Sequence, residues 1–190
     1  MNRYDSAIAD GAILILRAAS FAAKAHASQR RKGLAGIPYV NHVIEVAALV
    51  AETGGTDEEV AAALLHDVVE DSEVAIAEIS DRFGAIVATL VSGLTDDPAW
   101  HGLPRTERKA AQAARLKDKP AAVRRIKIAD QTANLRDIAR DPHAWASGDA
   151  LEYINCAKNV VEACRGLSVA LEVEFDNALS AAMQKLEGLQ

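Results

Sequence analysis

The 190-residue chain has few aromatic residues, 4% of the total, and only two cysteines, Cys156 and Cys164. Half of its residues are nonetheless apolar. A core short of rings must be filled by small and branched side chains. Alanine, abundant here, is the best helix former, so closely packed helices are favoured. The cysteines fall in one expected helix. At ~1.5 Å rise per residue they stand roughly 12 Å apart, beyond the ~7 Å a disulfide spans. Two free thiols suit a reducing cytoplasm. No apolar run approaches the ~18 residues of a membrane span. Residues 12–25 are interrupted by Arg17 and Lys24, and no signal-peptide pattern is expected there. Positive charge is not in surplus: the formal net charge of −6 argues against a protein that coats nucleic acid or an anionic membrane. A phosphorylated substrate, held by a metal and local basic residues, stays open.

Strand-like alternation, internal repeats and low-complexity linkers are also missing. What is present is helical periodicity. A first helix is expected over residues 6–28, with Ile8, Ile13, Leu16 and Phe21 as its apolar stripe. A basic loop, 29–38, follows. Asn41 is placed to cap a helix to about Thr53. Thr56 and Glu59 form a capping box that opens a helix to about Asp71. Further helices are expected over 75–83, stopped by Gly84, then to about Leu94, and over 105–117, 120–140, 147–165 and 168–186. The loop 95–104 is either a lid or an ordered crossover. Length and pattern predict a single all-α domain over residues 1–190, a helical bundle of roughly nine helices.

Chemistry concentrates in AALLHDVVEDS. Residues four apart share a helix face, so His66 falls beside Glu70 and Asp67 beside Asp71. An exposed acidic edge would look the same. Two distant residues favour a site instead. His42 opens a helix after PYVN. Asp130 lies among Val123, Ile126 and Ile128, where a lone carboxylate costs several kcal/mol to bury unless it is paired or on a metal. His42, His66, Asp67 and Asp130 together offer two imidazoles and two carboxylates. That set suits Mn²⁺, Fe²⁺ or Zn²⁺ better than Ca²⁺. Arg30, Arg31 and Lys32 would supply an anion partner, since arginine can grip phosphate bidentately or stack on a base. Lys127 shares the face of Asp130. Lys109 is a further candidate cation. His26, His101 and His143 are left out of the ligand set.

These segments resemble a family, the HD-domain hydrolases of the RelA/SpoT type, above all its small stand-alone alarmone hydrolases. The similar stretches are QRRKGLAGIPYVNH (29–42), AALLHDVVEDS (62–72), FGAIVATLVSGLTDD (83–97), LPRTERKAAQ (103–112), IKIADQTANLRDI (126–138) and EYINCAKNVVEACRGL (152–167). HD alone is weak; HD-x-x-ED joined to the upstream RRK…PY…H and the downstream AD…NLRD is specific. The resemblance implies removal of the 3′-pyrophosphate from guanosine 3′,5′-bispyrophosphate (ppGpp) and its pentaphosphate form, usually with Mn²⁺, ending a stringent-response signal. It implies metal binding by His42, His66, Asp67 and Asp130. Glu70 and Asp71 would orient and deprotonate water. Arg31 would stack on guanine with Lys32 nearby. Asn134, Arg136 and Tyr153 would complete the substrate side.

Two positions depart from the family: Gln131 where a basic residue is common, and Ala133 where animal-like members carry an aromatic one. Both are expected to trim the pocket wall and so to bear on the nucleotide. Related substrates, such as an adenosine alarmone, the 2′-phosphate of NADPH or a deoxynucleotide, form the second reading. A non-catalytic nucleotide sensor is the third. Nothing in the sequence sets an oligomeric state.

Overall fold

A computed structural model describes residues 3–31, 36–145 and 147–188. Among these residues the chain forms ten α-helices: α1 (Arg3–Ala25), α2 (Val40–Glu52), α3 (Asp57–Leu65), α4 (Val68–Asp71), α5 (Ile76–Phe83), α6 (Ala85–Leu94), α7 (Arg105–Leu116), α8 (Ala121–Arg140), α9 (Ser147–Glu162) and α10 (Val169–Glu187). Short 3-10 turns cover Pro98–Trp100 and Pro142–Ala144. The only strand-like feature among them is one isolated bridge between Arg30 and Pro38.

Two helices form the centre. Every residue from Glu59 to His66 is buried, and so is every residue from Ile126 to Ala133. Ala61, Ala62 and Ala63 give α3 a narrow waist on all sides. Helix α8 packs on α2, α6, α9 and α10, while α3 packs on α1, α2 and α6. Leu65, Ile126, Ile128, Leu135 and Phe175 fill the space between. Each such side chain stabilises the fold by about 1.5–3 kcal/mol, which is the reserve against which charges can be buried.

The capping box at Thr56 and Glu59 forms in both directions. Gly84 separates α5 from α6 at φ 90°, a conformation that a Cβ would strain. Three expectations change. Tyr39, not Asn41, precedes α2, and Asn41 lies inside it. Most of the stripe on α1 points outward: Ile8 is 72% and Leu16 69% exposed and Ile13 is exposed too, while Phe21 packs on the core and Gly11, Ala18 and Ala22 are buried. Small residues won that face because α1 lies close on α3, so close that a Cβ on Gly11 would overlap the Asp57 carboxylate. The helix expected from Thr56 to Asp71 is broken at His66-Asp67. The loop 95–104 is an ordered crossover, pinned by Arg115, which donates to the Thr95 carbonyl at 2.7 Å and lies over the Trp100 ring.

Helices α6 and α8 touch at Gly93. A Cβ there would stand 2.7 Å from Val123 Cγ2, and a β-branched side chain cannot rotate away. Gly93→Ala should therefore lower unfolding free energy by about 1–3 kcal/mol, read from urea denaturation. Adding Val123→Ala should recover part of the loss. Equal stability of Gly93→Ala and wild type would show that the contact is not tight.

Candidate functional site

The site lies where α2, α3 and α8 meet. His42 stands in the first turn of α2, His66 and Asp67 in the break after α3, and Asp130 in the buried middle of α8. One donor atom each of His42, His66 and Asp67 lie within 4.8 Å of one another. Asp130 Oδ1 is 3.3 Å from His42 Nε2 and 3.9 Å from His66 Nε2. Neighbours on a regular helix project about 100° apart, so an unbroken helix would have parted His66 from Asp67. Asp67 instead takes φ −100°, ψ −4°, in the bridge region that active-site residues often occupy. His66 Nε2 then comes within 3.0 Å of Asp67 Oδ2.

Whether these donors fit a metal is decided by His66. Its Nδ1 lies 2.8 Å from the Ala63 carbonyl, which can only accept, so Nδ1 carries the proton. In the neutral ring Nε2 is then a bare lone pair. It is buried without a hydrogen-bond partner and faces carboxylate oxygen. Only a cation between them makes that arrangement favourable. A divalent ion on two imidazoles and two carboxylates fits. In its absence a proton serves: burial opposes charge on His66, but Asp67 and then Asp130 outweigh it and push the ring up to about 9. Burial keeps His42 below its usual value. Burial would raise Asp67, yet His66 holds it well below the carboxylate range.

Asp130 is held on both oxygens. Lys127 Nζ at 3.0 Å and Gln131 Nε2 at 2.8 Å grip Oδ2. Asn134 Nδ2 donates to Oδ1 at 2.7 Å. Burial would raise this carboxyl too, but Lys127 and then His42 keep it ionised. The Tyr39 hydroxyl donates to Asp67 Oδ2 at 2.5 Å. Burial and the Asp67 charge push the phenol up, so it keeps its proton and its role as donor.

These groups floor a cleft of about 260 Å³. Glu70 and Asp71 line it, both raised above the carboxylate norm chiefly by burial. Glu70 accepts from the Asp96 backbone N–H, and Asp71 Oδ2 accepts from Gln29 Nε2 at 2.8 Å. Four cations share the lining: Arg105, Arg108, Lys109 and Lys127. Burial, with Lys127 nearby, lowers Lys109 to about 8. Tyr153 forms part of the wall, its ring 5.9 Å from Lys109 Nζ.

The remaining expected residues divide. Asn134 lines the cleft. Arg31 stands beside it, paired with Asp137, donating to Asn134 Oδ1 at 2.8 Å and lying over the Tyr39 ring. Lys32 lies outside the described residues. Arg136 does not line the cleft. It bridges Glu45 of α2 at 3.2 Å and Glu174 of α10 at 2.6 Å, and so ties three helices together. Gln131 and Ala133 are both fully buried and are not among the residues that line the cleft. Sequence reasoning missed Tyr39, Asp96, Arg105, Arg108 and Asp137 as parts of the site. Arg105, Arg108 and Lys109 do carry a signal, since i, i+3, i+4 spacing places three cations on one face of α7.

The HD domain family (HD_4) matches residues 18–153. Guanosine-3′,5′-bis(diphosphate) 3′-pyrophosphohydrolase MESH1 of Danio rerio is 40% identical over 162 residues, 84% of this chain and 88% of that protein. Its Homo sapiens counterpart is 40% identical over 161 residues, 83% of this chain and 88% of that protein. A solved structure described as a metazoan orthologue of SpoT that hydrolyses ppGpp superposes with a TM-score of 0.80 at 34% identity, covering 88% of this chain and 94% of that one. With a cluster of histidine and aspartate at the break after α3 and relatives matched over most of both chains, this protein belongs to the HD-domain family, and within it to the small guanosine-3′,5′-bis(diphosphate) 3′-pyrophosphohydrolases of the MESH1 type.

Proposed function

We propose that this chain hydrolyses the 3′-pyrophosphate of guanosine 3′,5′-bispyrophosphate or its pentaphosphate form, giving GDP or GTP and pyrophosphate. One observation carries the reading: an acidic donor set for a divalent cation opens into a cleft whose lining adds four cations. A pyrophosphate bridges such a pair of surfaces, with oxygens for the metal and charge left over for lysine and arginine.

His42, His66, Asp67 and Asp130 are the ligands in this reading, and Mn²⁺ is the ion we favour for the mixed imidazole–carboxylate set. When bound, the metal makes water nucleophilic at neutral pH and relieves charge on the phosphoryl group. The chain does the rest. Glu70 and Asp71 orient the water and take its proton. Both carboxyls are raised above the carboxylate norm chiefly by burial, which suits groups that take a proton from water. Lys127, Lys109 and Arg105 neutralise the departing pyrophosphate. Arg31, fixed flat by Asp137 and Asn134, offers a face to the guanine. Asn134 and Tyr153 border the ribose. Arg136, already committed to Glu45 and Glu174, takes no part. The reaction is placed in the cytoplasm, which suits the buried free thiols of Cys156 and Cys164. No described helix is long and apolar enough to cross a membrane.

Purified protein with Mn²⁺ and guanosine 3′,5′-bispyrophosphate should release GDP and pyrophosphate. A substrate panel is the check: turnover of an adenosine alarmone or of the NADPH 2′-phosphate, with none of the guanosine compound, would overturn the reading. Binding without turnover would favour a sensor.

Asp67→Ala removes a proposed ligand that also aligns Tyr39. Metal content, by elemental analysis, and hydrolysis rate should fall together, the rate by at least about 100-fold. Full metal and full rate in this variant would refute the ligand assignment.

Metal binding must displace the proton on His66. Because that proton is held up to about 9, the metal competes with it throughout the neutral range. Affinity should weaken about tenfold for each pH unit lowered below that value. Titration against a chelating dye at several pH values measures it, and an affinity independent of pH would show that His66 gives up no proton.

A further inference from the structure

Asp71 is not supported from its own helix alone. The turn after α1 brings His26 and Gln29 against it. The Gln29 amide is fixed from two sides: Nε2 donates to Asp71 Oδ2 at 2.8 Å, and Oε1 lies 2.6 Å from His26 Nδ1. A carboxylate accepts, so the nitrogen end of the amide must face Asp71. The oxygen end also accepts, so His26 must donate, and its proton is on Nδ1. His26 Nε2 is then a bare lone pair, buried and without a hydrogen-bond partner.

The ring cannot turn away from this duty. His26 is 1% exposed and packs on Tyr39 with centroids 5.0 Å apart. The backbone of Gln29 is clamped by the Tyr39 N–H, which donates to its carbonyl at 3.0 Å. The same Tyr39 passes its hydroxyl to Asp67. One buried wedge therefore supports two of the carboxylates of the cleft.

We propose that His26 is a positioning residue for hydrolysis: through Gln29 it holds Asp71 by Oδ2 and leaves Oδ1 to meet the attacking water. This rests on the role given to Asp71 under the proposed function. His26 touches neither substrate nor metal donors in this arrangement. It acts by fixing which way an amide points.

Asparagine offers the conservative test, because its Nδ2 stands as many bonds from the backbone as Nδ1 of histidine and can donate to Gln29 Oε1. His26→Leu keeps volume and loses the donor. With Mn²⁺ and guanosine 3′,5′-bispyrophosphate, His26→Leu should lower kcat about 10–100-fold, with KM and metal content unchanged. His26→Asn should keep most of kcat. Gln29→Leu should match His26→Leu, and the double variant should be no worse than either. Equal losses for Asn and Leu, additive losses in the double variant, or a KM that moves with kcat would each overturn the proposal. A readout free of turnover separates it from the functional reading. Histidine ¹⁵N spectra of the full chain should show His26 as the Nδ1–H tautomer, and the Gln29 amide signals should shift in His26→Leu but not in His26→Asn. An Nε2–H tautomer would overturn the relay even if hydrolysis is confirmed. Absence of hydrolysis beside the expected tautomer would count against the function and not against the relay.

Discussion

The site is organised around one carboxylate that is almost withdrawn from water. Asp130 is 5% exposed, in the buried middle of α8 where that helix borders the cleft, and the effective penalty for taking an ion out of water is several kcal/mol. Everything that satisfies it is part of the site or touches it. Lys127 and Gln131 come from its own helix, Asn134 from one turn on, and His42 from α2. Removing any of them would leave charge exposed to a low-dielectric core. The aliphatic packing of α3 and α8 is what makes such a burial tolerable.

The second constraint is the break after α3. A helix formed without interruption would carry His66 and Asp67 to different faces. The break turns them toward Asp130 and His42, and the carbonyl of Ala63 fixes the tautomer of His66. A group of lone pairs and negative charge results, which demands a cation. Of the cations that the chain itself supplies, Lys127 touches Asp130, while Arg105, Arg108 and Lys109 line the cleft from α7. Beside Glu70, Asp71 and Asp96 they supply positive charge that a polyanionic substrate can meet.

Much of this was legible along the chain. Thr56 with Glu59 and Gly84 are local signals, and their helix ends fell where local chemistry puts them. The four donors could be named because an imidazole or carboxylate among apolar neighbours has few inexpensive explanations. The failures share a cause. The α1 stripe of Ile8 and Leu16 obeys helical spacing, yet the packed face is the one with Gly11, Ala18 and Ala22, because α3 lies too close for larger side chains. Periodicity finds a stripe but cannot say how near the neighbouring helix comes. Arg136 sits two residues from Asn134 and was expected on the substrate side; α8 turns it toward Glu45 and Glu174 instead.

Composition and spacing by themselves determined an all-helical chain, several of its helix ends, and a set of imidazoles and carboxylates suited to a divalent cation. They did so because each depends on bonds within a few residues or on the high cost of burying an isolated charge. The phosphohydrolase activity was implied by the resemblance of the joined motifs. Tertiary structure alone decided which carboxylate oxygen is gripped by what, that Gln131 and Ala133 face the interior, that Arg31 is held by Asp137, and that His26 reaches Asp71 through Gln29. Those facts depend on the direction and distance between helices far apart in sequence, and no local pattern encodes them.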